Sequence, residues 1–317
     1  MRTLLIVNPK ATSTNKHVRK NITTALEGAL DVKVKQTKAR NHAQSLAQQA
    51  VLDDYDVVAV LGGDGTVNEV INGLLSQPNR SAYEVPILGI IPGGHANVLA
   101  HALALPSDSK KAAKAFIDHM QSQSIRTIGL GKAGDRWFAL HAGLGIDAEV
   151  VAAVEDMRKR GFPTTPGSYM AGLVKSWIAT DRWNGPMTMT GVSHDDQHVS
   201  IDKLVFAIVQ NTTPWTMLGE IALQASTQAR FEQGLDVVSL ESLSAQTMMR
   251  IAGTLLTGRG IGDLPESTVL TNLATVTMTS DRPVPLQIDG DLIKPVTSIT
   301  FASVPDAIRV FTPVDNP

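Results

Sequence analysis

The stretch DVVAVLGGDGTVNEVINGLL, residues 56–75, decides the fold. Residues 57–61 are apolar and mostly β-branched, which is typical of a strand buried on both faces. The segment GGDG, residues 62–65, ends that strand, and we expect its glycines to adopt positive φ angles and to let the backbone approach a ligand closely. A helix is predicted to start at Thr66, with Glu69 at the spacing of a capping box and apolar residues following at helical spacing.

This strand, turn and helix together indicate a phosphate-binding site. Exposed backbone N–H groups and the positive end of a helix dipole would lie at the end of a strand, where an anion binds favourably. Asp64 is the single carboxylate of the turn, and a carboxylate there is most useful when a divalent cation bridges it to a phosphate. A tight turn without a ligand, as in any α/β protein, is the alternative.

The composition predicts a two-domain protein with a sizeable core. The chain has 317 residues, of which 43% are hydrophobic and 18% charged. Its net charge of −2 provides no field that would recruit nucleic acid, and the absence of cysteine excludes disulfides and thiolate chemistry. No stretch reaches the roughly 18 apolar residues of a transmembrane helix, so we expect any action on lipid to occur at a membrane surface.

The first part of the sequence alternates between strands and helices. Apolar runs at residues 3–7 and 85–91 read as strands, and amphipathic segments follow at residues 17–29 and 43–52. A second glycine turn, PGGHAN at residues 92–97, leads into another helix. This alternation, which continues to about residue 122, predicts a doubly wound, mostly parallel sheet whose ligands bind at the carboxyl ends of the strands.

The second part reads as mainly antiparallel β structure with a few helices. Predicted strands there include residues 269–280, 286–289 and 298–301. Residues 169–183 carry an apolar stripe that predicts either core packing or the lip of a lipid pocket, and Met217, after Pro214 and Trp215, poses the same choice. We expect His141 to be a structural histidine whose hydrogen bonds are satisfied.

Two aspartates in this part each have two interpretations. Asp147, in the segment GLGID, could contact the hydroxyl of a substrate or could cap the helix that follows it. Asp289 and Gly290 are a favoured hairpin turn between two apolar runs, and a tight turn of this kind can also hold carboxylates at a site.

Six motifs, in order along nearly the whole chain, resemble the diacylglycerol kinase catalytic family, which includes the sphingosine kinases. The motifs are VNPKA at 7–11, GGDGTVNEV at 62–70, LGIIPGGHANVLAHAL at 88–103, AGLGIDAEV at 142–150, FEQGLDVV at 231–238 and QIDGD at 287–291. GGDGT alone is shared with NAD kinases and phosphofructokinases, whereas the second glycine turn and the C-terminal aspartate-glycine turn favour the lipid kinases.

The resemblance implies an architecture and a set of ligands. It implies an α/β nucleotide-binding domain at residues 1–123, to which residues 302–317 return, and a β-rich, sandwich-like acceptor domain at residues 124–301. It also implies ATP and Mg²⁺ as cofactors, a lipid substrate at the membrane surface, and a cytoplasmic, peripherally membrane-associated protein. The resemblance leaves open whether the protein forms a homodimer.

The resemblance also assigns site residues. It implies Asp291 as the catalytic proton acceptor, with Asp289 and Asp64 completing the carboxylate environment, Asp64 near the Mg²⁺ of ATP, and Asp147 on the acceptor side. The implied nucleotide-binding residues are Asn8, Thr37, Gly62, Gly63, Asp64, Gly65, Thr66, Val67, Asn68, Glu69, Gly94 and His95.

The sequence departs from the family pattern at three of these motifs. His95 replaces the usual threonine or serine, and Asp291 replaces glutamate, which shortens the side chain by one methylene. Gln233 replaces an aspartate that holds a structural Mg²⁺ in many bacterial members, so we do not expect that metal site.

The sequence therefore predicts a lipid kinase that phosphorylates a lipid hydroxyl, with diacylglycerol favoured over sphingoid or polyprenol acceptors. One alternative is a kinase with the same phosphate-binding turn, such as an NAD kinase, which would need a polar acceptor pocket. The other is a non-catalytic protein that binds lipid or nucleotide and acts as a regulator, which the three departures motivate.

Overall fold

The computed structural model describes residues 1–78, 80–161, 172–177, 185–219 and 221–313. The chain forms two compact units. The first comprises Met1–Leu130 with the C-terminal segment from Pro305, and the second comprises Gly131–Val304. Of the helix predicted over residues 169–183, residues 172–177 are helical, and the others lie outside the described residues.

The first unit is built from alternating strands and helices, as the sequence predicts. In chain order they are β1 (Thr3–Val7), α1 (Lys16–Ala29), β2 (Val32–Gln36), α2 (His42–Leu52), β3 (Val57–Gly62), α3 (Asp64–Leu74), β4 (Ile87–Pro92), α4 (Val98–Ala102) and α5 (Ser109–Ser122). Every residue of β1, β3 and β4 is buried, which explains their uninterrupted apolar sequences.

These strands form a parallel sheet in the order β2–β1–β3–β4. Ile22 of α1 and Phe116 of α5 share one apolar cluster with strand residues such as Leu61. Helices α2 and α3 pack against each other so closely that a Cβ on Gly73 would lie 2.3 Å from the Gln44 carbonyl oxygen. The order reverses between β1 and β3, and the carboxyl ends of the strands there are where doubly wound sheets bind ligands. The predicted α/β class is confirmed.

The second unit is rich in antiparallel strands. Its elements, some of which extend into the first unit, are β5 (Ile125–Ala133), β6 (Arg136–Phe138), β7 (His141–Gly145), α6 (Ile146–Lys159), β8 (Met187–Ser193), β9 (His198–Leu204), β10 (Phe206–Gln210), β11 (Thr216–Leu218), β12 (Ile221–Leu223), β13 (Leu235–Leu240), α7 (Ala245–Thr257), a 3₁₀ turn (Ile261–Asp263), β14 (Ser267–Ile288) and β15 (Asp291–Phe311).

Strand β14 organises the second unit because it pairs with several neighbours in turn. It runs antiparallel to β13, β8, β15 and β7, and β10 joins β7 to β13, which closes a ring of four strands. The sequence predicted separate strands at residues 269–280 and 286–289. They form one strand instead, because the polar, proline-containing segment between them lies where the register shifts between Thr279 and Val284, and a bulge tolerates proline.

Candidate active site

The carboxyl ends of three neighbouring strands bring predicted nucleotide-binding residues together in the first unit. Asn8 follows β1, and its Nδ2 donates to Thr66 Oγ1 at 2.9 Å. Thr37 follows β2, and its backbone N–H donates to the Val7 carbonyl oxygen at 2.9 Å. Gly63 follows β3. Because β1 lies between β2 and β3, these residues share one edge of the sheet.

The two glycine turns at this edge touch through their backbones. The N–H of Gly93 donates to the Gly62 carbonyl oxygen at 2.7 Å. A Cβ at Gly94 would lie only 2.7 Å from Gly63 Cα. The expectation of positive φ angles in the first turn is wrong, since none of Gly62, Gly63 and Gly65 has one, and φ of Gly63 is −92°. At the contact between the turns, glycine is required because a side chain would separate the two backbones.

Gly65 is an exception to this close packing. It is exposed, its φ is not positive, and a Cβ built on it would meet nothing within 4 Å. Its N–H, in the first turn of α3, has no acceptor among the residues that the structure describes. Folding therefore does not require glycine at this position, and an open donor is left at the positive end of a helix.

The Asp64 carboxylate links the first glycine turn to α4, the helix that follows the second glycine turn. Its two oxygens accept the backbone N–H groups of Val98 and Leu99, each at 3.1 Å. Burial raises the pKa of the Asp64 carboxyl above its ordinary value, and these two donors oppose the rise. Asp64 therefore holds the two turns together, and its role beside Mg²⁺ stays a prediction.

The predicted capping box at the start of α3 is wrong. Helix α3 begins at Asp64, two residues before Thr66. The Glu69 carboxylate instead reaches the start of α2, where it accepts the N–H of Asn41 at 2.8 Å and that of Ala43 at 3.1 Å. These contacts fix the start of α2, and the assignment of Glu69 to nucleotide binding stays a prediction.

The other predicted nucleotide-binding residues differ in accessibility. Val67 and Asn68 are 2% and 3% exposed, so their side chains belong to the interior of the unit. The Gly94 N–H donates to Asn97 Oδ1 at 2.8 Å, which closes the second turn. His95 is exposed beside it. Of these four residues, His95 has the side chain that is most accessible to a ligand.

The second unit contains an apolar cavity of about 210 Å³. Trp215 and Met217, and Leu173 from the apolar stripe, line it, which favours the lipid-pocket interpretation of those residues over simple core packing. Further apolar lining residues are Val150, Leu243, Met248 and Ile251, while His141, Asp147, Thr216 and Gly290 provide its polar part.

The Asp289–Gly290 turn lies at this cavity through Gly290. Both residues have positive φ angles, 47° and 79°, and they join Ile288 to Asp291 as a two-residue hairpin turn. The Asp289 carboxylate was predicted to be catalytic, but it accepts three backbone N–H groups at 2.8–3.1 Å, those of Ala139, Leu140 and His141. These contacts fix the turn, and the catalytic role of Asp289 stays a prediction.

Asp291 is held by an ion pair that the sequence did not reveal. Arg136 Nη2 lies 2.7 Å from Asp291 Oδ2, and the two side chains are 31% and 30% exposed. The carboxylate is therefore both oriented and accessible, as a group that acts on a substrate must be. Arg136 lies 155 residues away in sequence, and no local pattern marks it.

Asp147 does not cap a helix, because α6 already begins at Ile146. Its Oδ2 accepts the Gln287 side-chain N–H at 2.7 Å, and Gln287 Oε1 accepts the Gly290 N–H at 2.8 Å. Burial raises the pKa of the Asp147 carboxyl to about 6, opposed by the bond from Gln287. Contact with the hydroxyl of a substrate therefore stays the prediction for Asp147, and Gln287 connects Asp147 to the Asp289–Gly290 turn.

His141 is not the satisfied structural histidine that the sequence predicted. Its side chain is buried, and Nδ1 has no hydrogen-bond partner among the described residues. Burial lowers the pKa of the His141 ring to about 4. The ring packs edge-to-face on Trp215, with centroids 6.3 Å apart, and lines the apolar cavity. No sequence pattern distinguishes a paired histidine from an unpaired one.

Among the described residues, no group of three or more His, Asp or Glu side chains is arranged to hold a metal ion. Gln233, which replaces the metal-binding aspartate of the family, is exposed, and its N–H donates to the Arg230 carbonyl oxygen at 3.1 Å. No described helix is both long and apolar enough to cross a membrane.

Residues 2–132 match the family model of the diacylglycerol kinase catalytic domain. This stretch contains both glycine turns, Asn8 and Thr37. It belongs to the diacylglycerol kinase catalytic-domain family. Within this kinase domain, the edge of the sheet where Asn8, Thr37 and Gly65 lie is the candidate nucleotide site.

Curated relatives match part of the chain. A diacylglycerol kinase of Staphylococcus haemolyticus is 41% identical over 102 residues, which are 32% of this chain and 28% of the relative. A candidate lipid kinase of Streptococcus pneumoniae is 35% identical over 153 residues, which are 48% of this chain and 47% of the relative. The chain therefore spans less than half the length of these relatives.

Solved structures resemble the whole chain. A candidate diacylglycerol kinase from Bacillus anthracis superposes with a TM-score of 0.77 over 100% of this chain and 95% of its own, at 22% identity. A second Bacillus anthracis structure, of a diacylglycerol kinase, gives a TM-score of 0.71 over 100% of this chain and 97% of its own, at 20% identity. These similarities show the fold, including the β-rich second unit.

Proposed function

We propose that this protein is an ATP-dependent lipid kinase that converts diacylglycerol to phosphatidic acid. The observation that carries the proposal is the apolar cavity that reaches Gly290, the residue before Asp291. Tryptophan, methionine and leucine side chains suit acyl chains, and a hydroxyl at the Gly290 end of the cavity would lie near the Asp291 carboxylate. The same lining is a poor match for NAD, whose ribose and phosphate groups need polar partners.

The kinase domain fits the phosphates of a nucleotide. Gly65 offers an unpaired N–H, no side chain, and the positive end of α3. Around it we assign Asn8, Thr37, Thr66 and His95 as further nucleotide contacts. Mg²⁺, bound with ATP as the kinase family implies, would neutralise charge on the phosphates, and Asp64, the single carboxylate of the turn, could approach it through water.

Asp291 is the proposed catalytic residue. It would accept the proton of the lipid hydroxyl, or orient that hydroxyl, as the oxygen attacks the terminal phosphoryl group of ATP. Arg136 holds one carboxylate oxygen at 2.7 Å and leaves the side chain 30% exposed, so the carboxylate keeps its direction while a substrate reaches it. Phosphoryl transfer depends mainly on such positioning and on neutralisation of charge.

Asp147 supports the acceptor side of this site. Its Oδ2 accepts the Gln287 side-chain N–H, and Asp147 is among the residues that line the cavity, where a second polar group of the lipid would lie. Because diacylglycerol resides in membranes and ATP in the cytoplasm, we assign the protein to the cytoplasmic surface of a membrane.

The test is transfer of labelled phosphate from the γ position of ATP, with Mg²⁺, to lipids in mixed micelles. The panel contains diacylglycerol, monoacylglycerol, sphingosine, ceramide and a polyprenol, with NAD as a soluble control. We expect label in diacylglycerol. Label in NAD would move the protein to the other kinase class, and binding of ATP without transfer to any acceptor would favour a non-catalytic regulator.

A further inference from the structure

His141 is a buried polar group for which folding supplies no partner. The residue is 8% exposed, and its Nδ1 lacks a hydrogen bond to any described residue. Buried polar atoms in native proteins are nearly always paired, and leaving one unpaired destabilises the folded state. A leucine or methionine would fill this position without that cost. Because Nδ1 is buried, the ring nitrogen left to meet a molecule in the cavity is Nε2.

The backbone of His141 fixes where that partner must lie. The His141 N–H donates to Asp289 Oδ1 at 3.1 Å, and its carbonyl oxygen accepts the Asp289 N–H at 2.9 Å. His141 and Gly290 both line the cavity. The ring therefore belongs to the end of the cavity that carries the Asp289–Gly290 turn, and the turn leads directly to Asp291.

The chemistry of the ring narrows the choice of partner. Burial keeps the ring neutral at pH 7, because its pKa falls to about 4, so it offers one N–H donor and one acceptor nitrogen. The other carboxylates nearby are already held, Asp289 by three backbone N–H groups and Asp147 by Gln287. An N–H donor in an apolar cavity is best satisfied by an uncharged acceptor such as a carbonyl oxygen.

We propose that His141 is a specificity-determining residue that donates a hydrogen bond to an ester carbonyl of an acylglycerol, next to the hydroxyl that is phosphorylated. The proposal rests on the proposed function and names which part of the substrate is recognised. A polyprenol offers no such carbonyl, and a sphingoid base offers an ammonium group in its place.

The test compares an ester lipid with its ether analogue, which has the same chains and hydroxyl but lacks both carbonyls. The enzyme variants are wild type, His141→Leu, which removes the donor, and His141→Gln, which keeps an N–H donor. Thr216→Val is the matched control, because it removes a different polar group from the same cavity. The quantity measured is the ratio of kcat/KM for diacylglycerol to kcat/KM for dialkylglycerol.

We expect wild type to prefer the ester by about 10-fold or more, since a buried group built to pair with a substrate atom discriminates against a substrate that lacks it. His141→Leu should bring the ratio close to 1, His141→Gln should restore part of it, and Thr216→Val should keep it. If His141 had only a structural role, His141→Leu would lower kcat/KM for diacylglycerol and for dialkylglycerol by the same factor. A ratio unchanged in His141→Leu would therefore overturn the proposal.

Lipid binding provides a readout that does not depend on catalysis. Trp215 packs on His141 and lines the cavity, so its fluorescence should change when a lipid enters. The fluorescence change that is lost in Trp215→Phe is the part that comes from Trp215. Tighter binding of the ester than of the ether, lost in His141→Leu, would support the proposal even if wild type transferred no phosphate, which would refute the proposed function alone. Equal binding of both lipids by wild type would overturn the proposal.

Discussion

Replacing Gly65 with alanine should separate the stability of the kinase domain from its affinity for ATP. A Cβ at this position meets nothing within 4 Å, and φ is not in the left-handed region, so the fold accepts alanine without strain. In a helix, alanine is favoured over glycine by roughly 0.5–1 kcal/mol. We therefore expect the free energy of unfolding to stay the same or to rise by about that amount.

The affinity for ATP should change in the opposite direction. If a phosphate lies against the open N–H of Gly65, a methyl group displaces it and weakens a charge-assisted hydrogen bond. Such a bond contributes about 1.5–3 kcal/mol, and each 1.4 kcal/mol is a factor of ten, so Kd for ATP should rise roughly 10- to 150-fold.

The assay combines urea denaturation with titration calorimetry of ATP. Gly28→Ala is the matched control, because Gly28 lies exposed in α1 and its Cβ would also meet nothing within 4 Å. It should stabilise the fold to a similar extent and leave Kd for ATP unchanged. If Gly65→Ala binds ATP as tightly as wild type does, the phosphate does not lie at this turn and the reasoning is refuted.

Two further substitutions test the structural carboxylates. Glu69→Gln should lower the free energy of unfolding by about 1–2 kcal/mol, because one of the two backbone N–H groups at the start of α2 then loses its acceptor, whereas Glu27→Gln on the exposed face of α1 should be neutral in the same urea experiment. Asp147→Asn should become more stable relative to wild type as pH rises from 4 to 7. The folded carboxyl has a pKa of about 6 against 3.8 when unfolded, so wild type loses up to roughly 3 kcal/mol of stability across that window; a pH-independent difference between the two proteins would contradict this.

Local sequence was enough to predict the alternating strands and helices of the first unit. Fully buried parallel strands have continuous apolar sequences, and glycine turns follow β3 and β4, so the α/β class follows from neighbouring residues. The phosphate site at these turns stays a prediction. The reason for the glycines was nevertheless wrong. The approach of Gly94 to Gly63 depends on two turns about 30 residues apart, and no local pattern reveals it.

The carboxylates were the harder part of the site to interpret from sequence. Glu69, Asp64 and Asp289 each accept backbone N–H groups from a distant segment, contacts that no motif indicates, and their roles toward ligands stay predictions. The pairing of Arg136 with Asp291 and the unpaired ring of His141 are likewise products of tertiary structure. In the second unit the sequence left core packing and a lipid pocket as alternatives for the apolar stripe and Met217, and the structure places Leu173, Trp215 and Met217 at a cavity.

The central claim is that Asp291 acts on the hydroxyl of a lipid, and one comparison tests it most directly. Turnover of diacylglycerol and Kd for ATP are measured side by side in wild type and Asp291→Asn. Removal of a general base typically lowers turnover by about 10²–10⁴-fold, and we expect a loss in that range with Kd for ATP nearly unchanged. Turnover close to that of wild type in Asp291→Asn would contradict the assignment of Asp291 as the catalytic residue.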